Sequence, residues 1–128
     1  MGWTLILTDD NRRSNGLVEE LYLYGPLVLL NIYEAETSIE PASSIVVDIF
    51  DLRSHAIARL RRLLGETPRR GPLVMLLHKD IPRVRILAIA LGAALTLCSP
   101  FDISRLKTFL AISAASIDPA PLPPMPLS

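Results

Sequence analysis

Ser44-Ile45-Val46-Val47-Asp48-Ile49 decides the reading of this chain. Its β-branched residues run on without polar alternation, which is the pattern of a strand buried on both faces, and one acid interrupts it near the carboxyl end. Ser54 to Leu64 follows, with Ile57, Leu60 and Leu64 on one helical face, Arg59, Arg61 and Arg62 elsewhere, and Gly65 as its stop. The same alternation extends outward in both directions. Upstream, Trp3 to Thr8 reads as a strand closed by Asp9 and Asp10, and Asn11 to Tyr24 as a helix stopped by Gly25-Pro26. Leu27 to Ile32 is a second strand, and Glu34 to Glu40 holds a short helix ended by Pro41. Downstream, Leu73 to Leu77 is a strand, and Ile81 to Leu91 a helix with Pro82 in its first turn and Gly92 at its end. Leu95 to Cys98 is a fifth strand, and Asp102 caps a last helix running to about Ser116. Five strand–helix units predict an α/β fold, a (βα)5 doubly wound parallel five-stranded sheet.

Composition bounds the partners. The 128 residues make one domain, half of them hydrophobic and 20% charged, with mean hydropathy +0.38, so the chain buries a real core. Thirteen basic residues balance thirteen acidic ones, which leaves no global field for nucleic acid or anionic lipid. The single cysteine, Cys98, forms no internal disulfide and fits a reducing compartment, so a cytoplasmic protein is expected. The longest uncharged apolar run, Ile86 to Cys98, has 13 residues. A membrane span needs roughly 20. The acids at 9 and 10 directly follow the first apolar stretch, which does not fit a signal peptide. Five of the 11 prolines crowd into residues 118–128, so a domain over 1–117 and a Pro-rich tail or linker are expected.

In such sheets the functional crevice lies at the carboxyl ends of the strands. Asp9 and Asp10, Asn31, Asp48, Leu77 and His78, and Ser99 stand there. If the first and third strands are neighbours, Asp9, Asp10 and Asp48 converge. Converging carboxylates call for a hard cation such as Mg²⁺, and an Asp beside Mg²⁺ can accept a phosphoryl group. The alternative is that each Asp only caps the helix that follows it, and the spacing leaves both readings open.

The chain resembles the receiver domain of two-component response regulators over residues 3–116. The carriers are Leu5-Ile6-Leu7-Thr8-Asp9-Asp10-Asn11, Ile45-Val46-Val47-Asp48-Ile49, Gly71-Pro72-Leu73-Val74-Met75-Leu76-Leu77 and Gly92-Ala93-Ala94-Leu95-Thr96-Leu97-Cys98-Ser99-Pro100-Phe101-Asp102. The resemblance implies the flavodoxin-like strand order 2-1-3-4-5, Asp48 as phosphoacceptor and Asp9 and Asp10 as the acidic pair. It also marks departures. Leu77 stands where the family has Ser or Thr, Ser99 where it has Lys before a cis-forming Pro, and Thr96 where it has an aromatic switch residue. Leu52 and Ala56 replace a Pro and a Gly, and the second helix is short. Losing a charged hydrogen-bond partner costs about 1.5–3 kcal/mol, enough to cancel a population shift of a few kcal/mol. A degenerate, pseudo-receiver-like module is therefore expected: not an enzyme, not switched by phosphorylation, acting as an interaction or dimerisation adaptor. It requires no cofactor and binds Mg²⁺ at most weakly, through Asp9, Asp10 and Asp48. The alternative is an atypical receiver phosphorylated on Asp48.

Other candidates are discounted. His78 is read as a solvent-facing loop residue and His55 as exposed, and two lone histidines make no zinc site. Cys98 reads as a small core residue, and no glycine-rich phosphate loop is present. The arginines at 59, 61, 62, 69 and 70 read as a solvated face. Apolar residues on the helices at 81–91 and 102–116 spread beyond one stripe, so part of them should stay exposed. The resemblance places a symmetric homodimer there, through Val84, Leu87, Leu91, Leu106, Phe109 and Leu110. Further expected partners are a histidine kinase or a fused output domain, with no nucleic acid and no membrane.

Overall fold

A computed structural model describes residues 3–34, 42–66, 71–79 and 81–117. The elements are β1 (Thr4–Thr8), α1 (Asn11–Leu21), a 3₁₀ turn (Tyr22–Tyr24), β2 (Leu27–Asn31), β3 (Ser44–Ile49), α2 (Ser54–Glu66), β4 (Leu73–Leu77), α3 (Pro82–Ala90), β5 (Ala93–Cys98) and α4 (Ile103–Ile117). All strand pairs are parallel, in the order β2-β1-β3-β4-β5. This is the doubly wound order expected above. The three central strands are buried almost throughout, whereas β2 and β5, at the edges, are half-covered.

The period of two along each strand divides the core into two layers. Leu5, Leu7, Ile45, Val47, Leu73 and Met75 face α2 and α3, where Leu60, Leu63, Val84 and Ala88 meet them. Ile6, Val46, Val74, Leu76 and Leu97 face the other side, with Leu21 of α1 and Leu106 and Leu110 of α4. Asp48 is in register with Thr8 of β1 and Leu76 of β4, so its side chain shares the second face. That parity aims the acid at α1 and α4.

Helix boundaries follow local chemistry. Asp10 caps α1 by accepting from the Arg13 N–H at 3.3 Å, and Asp102 caps α4 through the Ser104 and Arg105 N–H groups at 3.1 and 3.3 Å. Gly25 and Gly92, with φ of 127° and 83°, end the helical segments before them, as their positions predict. Two expectations are corrected. The first helix tightens into a 3₁₀ turn after Leu21, and α2 runs through Gly65 to Glu66. Gly65 has a negative φ, so it takes helical geometry like its neighbours. The helix expected over 34–40 and the Pro-rich tail at 118–128 lie outside the described residues.

The expected dimer face also needs correction. Leu106 is fully buried, and Val84, Leu87 and Leu110 are 9%, 8% and 6% exposed, so these four belong to the core. Leu91 and Phe109 are half-buried against it. The physical reason is spacing: Val84, Leu87 and Ala88, and Leu106 and Leu110, sit three and four residues apart and form the stripes that cover the sheet. The large apolar side chains left outside on these helices are Ile86, Ile89 and Ile112, at 65%, 77% and 61% exposure.

Candidate functional site

Asp48 ends up inside the protein with both carboxylate oxygens engaged. Its side chain is 3% exposed. Ser14, in the second turn of α1, places its hydroxyl 2.7 Å from Asp48 Oδ2 and 2.7 Å from Thr8 Oγ1. A carboxylate only accepts, so the Ser14 hydroxyl donates to Asp48 and also faces Thr8 Oγ1, whose own proton goes to the Asp10 carbonyl at 3.2 Å. Thr8 Oγ1 in turn accepts from the Asp10 N–H at 3.0 Å. On the other side, His78 Nε2 lies 2.6 Å from Asp48 Oδ1. No buried side-chain polar atom among the described residues lacks a partner.

Sheet order builds an aromatic group around this pair. Phe50, His78 and Phe101 come just after β3, β4 and β5, three adjacent strands, so the His78 ring falls between the two phenylalanines. It stacks on Phe50 with centroids 4.0 Å apart and planes at 27°, and meets Phe101 edge-on at 5.0 Å. The Arg13 guanidinium sits 4.2 Å from the Phe50 centroid. A pocket of about 300 Å³ adjoins them between α1 and α4, with Leu17, Leu76 and Ile103 in its wall.

The other two aspartates have separate duties. Asp9 accepts from the Phe50 and Asp51 N–H groups at 2.9 and 3.1 Å, tying β1 to the loop after β3. Asp10 is the α1 cap. No group of three or more His, Cys, Asp or Glu side chains suited to a metal is found among the described residues. In this arrangement N–H and O–H donors engage both oxygens of Asp9 and of Asp48 and one oxygen of Asp10.

The remaining predicted positions are spread out. Leu77 is fully buried in the layer facing α2 and α3, so the apolar neighbour of Asp48 in the sheet is Leu76 instead. Thr96 is half-buried on the edge strand. Ser99 is exposed, donates its N–H to the Leu77 carbonyl at 2.9 Å, and precedes Pro100 through a cis bond. Cys98 is half-buried, with the Arg85 guanidinium 3.1 Å from its Sγ.

No family model matches the sequence, and no curated protein matches it. Solved structures do. The signal receiver domain of a signal transduction histidine kinase from Syntrophus aciditrophicus superposes with TM-score 0.67 at 17% identity, covering 100% of this chain and 99% of that one. A pilus assembly protein, CpaE, from Burkholderia thailandensis gives TM-score 0.65 at 14% identity, over 90% and 99%. Full-length FixJ from B. japonicum gives 0.64 at 19%, over 93% of this chain and 60% of that one. The fold is that of a response-regulator receiver domain.

On this fold the acid at the carboxyl end of β3, Asp48, is an internal hydrogen-bond acceptor. The sequence reading placed His78 in solvent, and the structure corrects it: the ring is 20% exposed and bonded to the acid. Ser14, Phe50 and Phe101 were not singled out either. The available signal was an aromatic or imidazole ring just past each of three consecutive sheet strands, legible only once the strand order is known.

Proposed function

We propose that this chain is a receiver-like interaction module in which Asp48 is structural and the switch has been lost. One observation carries the reading: the acid at the phosphoacceptor position is buried and has a donor on each oxygen, Ser14 on Oδ2 and His78 on Oδ1. In-line attack on a phosphoryl donor needs an oxygen lone pair free and aimed at phosphorus, with a cation to offset the transferred charge. Leu77 supplies no hydroxyl and Ser99 no cation. The module then works by docking, to a kinase, an output domain or an assembly component. Three similar structures are described as pilus assembly or assembly-related proteins, a setting that suits a docking unit. Self-association through α3, β5 and α4 rests in this reading on Ile86, Ile89 and Ile112, and light scattering at tens of micromolar reads it.

The test is titration with Mg²⁺ and then beryllofluoride, followed by amide NMR. The expected result is no saturable beryllofluoride shift at Asp48 or Thr96. Saturable shifts reaching β5 would establish a phosphorylatable receiver with Asp48 as acceptor and overturn the proposal.

A further inference from the structure

A second concavity lies away from Asp48, between α2 and α3. It has a volume of about 550 Å³, and Ile57, Ile86 and Leu87 line it. Arg53, Arg61 and Arg83 also line it, and among the described residues no acidic side chain does. Arg53 is paired with Asp51 at 2.5 Å. Arg61 and Arg83 are exposed and carry no ion pair among the described residues. The whole chain is neutral, with 13 cations against 13 acids, so this apolar cleft is a local cationic surplus and not part of a general basic surface. Ile86, 65% exposed in its wall, is an apolar side chain left uncovered beside those charges.

We infer that this groove docks an acidic, apolar-anchored helical segment of a partner protein. The occupant follows from complementarity. Apolar anchors spaced three and four apart fill the cleft between two helices, and carboxylates on the flanks of the same segment meet Arg61 and Arg83. Guanidinium groups suit this role, since their planar forks bind carboxylates in pairs. The inference rests on the reading of the chain as a docking module and names the surface and partner chemistry it would use.

The experiment is NMR titration of the full chain with two synthetic amphipathic helices of about 14 residues. Both carry Leu at i, i+3 and i+7; one has Glu and the other Lys at the remaining charged positions. The Glu peptide is expected to shift amides of 52–61 and 81–90 saturably and the Lys peptide to leave them unmoved. Arg61→Glu/Arg83→Glu is expected to weaken the Glu peptide at least about tenfold and to create binding of the Lys peptide, which also proves the variant folded. Equal binding of both peptides would overturn the inference by removing the charge argument. So would shifts confined to β5 and α4, or no shift. Shifts of 52–61 that grow with protein concentration alone would assign the groove to a second copy and overturn it, as would preferential binding of a single-stranded RNA oligonucleotide. The beryllofluoride response is read at Asp48 and Thr96, a separate set of amides, so loss of the docking inference and loss of the proposed function are seen apart.

Discussion

Replacing His78 with phenylalanine is predicted to destabilise the domain more than replacing it with alanine, although phenylalanine keeps a ring and alanine removes it. The imidazole contributes a hydrogen bond to Asp48 at 2.6 Å and ring contacts to Phe50 and Phe101 at 4.0 and 5.0 Å. A hydrogen bond to a charged group is worth about 1.5–3 kcal/mol, and each aromatic pair about 0.5–1.5 kcal/mol beyond the area it buries. His78→Ala loses all of these, but His78 is 20% exposed and adjoins a pocket of about 300 Å³. Water therefore reaches Oδ1 and supplies a donor, so the net loss is about 2–3 kcal/mol. His78→Phe keeps the ring contacts and seals the carboxylate under hydrocarbon with one donor gone. Leaving a buried charged group without its hydrogen-bond partner costs its full desolvation, more than the ~1–3 kcal/mol of a neutral group.

Urea unfolding followed by circular dichroism measures the order, provided the m-values agree between variants. The double variant Asp48→Leu/His78→Phe removes acid and donor together, and the cycle should show a coupling of at least about 2 kcal/mol. If His78→Phe is as mild as His78→Ala, or the cycle is additive, then His78 does not hold Asp48 in a dry interior and the structural reading of the acid fails.

Two further predictions separate core from surface. Leu106→Ala should cost about 2–5 kcal/mol in urea unfolding because Leu106 is fully buried, whereas Ile89→Ala, at 77% exposure, should stay within about 0.5 kcal/mol. The reverse order would restore Leu106 to an interface. Asp102→Ala should cost about 1 kcal/mol and raise hydrogen exchange at the Ser104 and Arg105 amides it caps, with β1 amides unchanged.

The strands were legible because burial on both faces writes continuous apolar runs, as at Ile45 to Val47 and Leu73 to Leu77, whereas their order came from the family resemblance. The Asp102 cap and the stops at Gly25 and Gly92 were legible because they are local. The Asp48–His78 pair was not, since 30 residues separate the partners and a lone histidine at a strand end carries no period to reveal its neighbours. The helix surfaces were misread for a related reason. Counting apolar residues on α3 and α4 shows that some must be exposed, yet only packing decides that Leu106 and Leu110 face the sheet while Ile86, Ile89 and Ile112 do not.

The geometry also sets how far Asp48 stands from nucleophilic work. In the proposed reading one of its oxygens sheds a donor before it attacks. Ser14 is fully buried and bonded to Thr8 as well, so its release would break the link from β1 to α1. His78 is the donor with a path outward, and it leaves only by sliding from between Phe50 and Phe101. Giving up that bond together with the ring contacts costs about 2–3 kcal/mol, which holds the open form down by roughly 30- to 150-fold. In a receiver with an open site this term is absent, and binding of Mg²⁺ and a paired lysine act in favour of phosphorylation. On the family resemblance the residues that would repay the opening stand at 77 and 99, and here they are a core leucine and an exposed serine. In the proposed reading the same hydrogen bonds that stabilise the fold at Asp48 oppose its use as an acceptor, and this is the physical basis for reading the acid as structure.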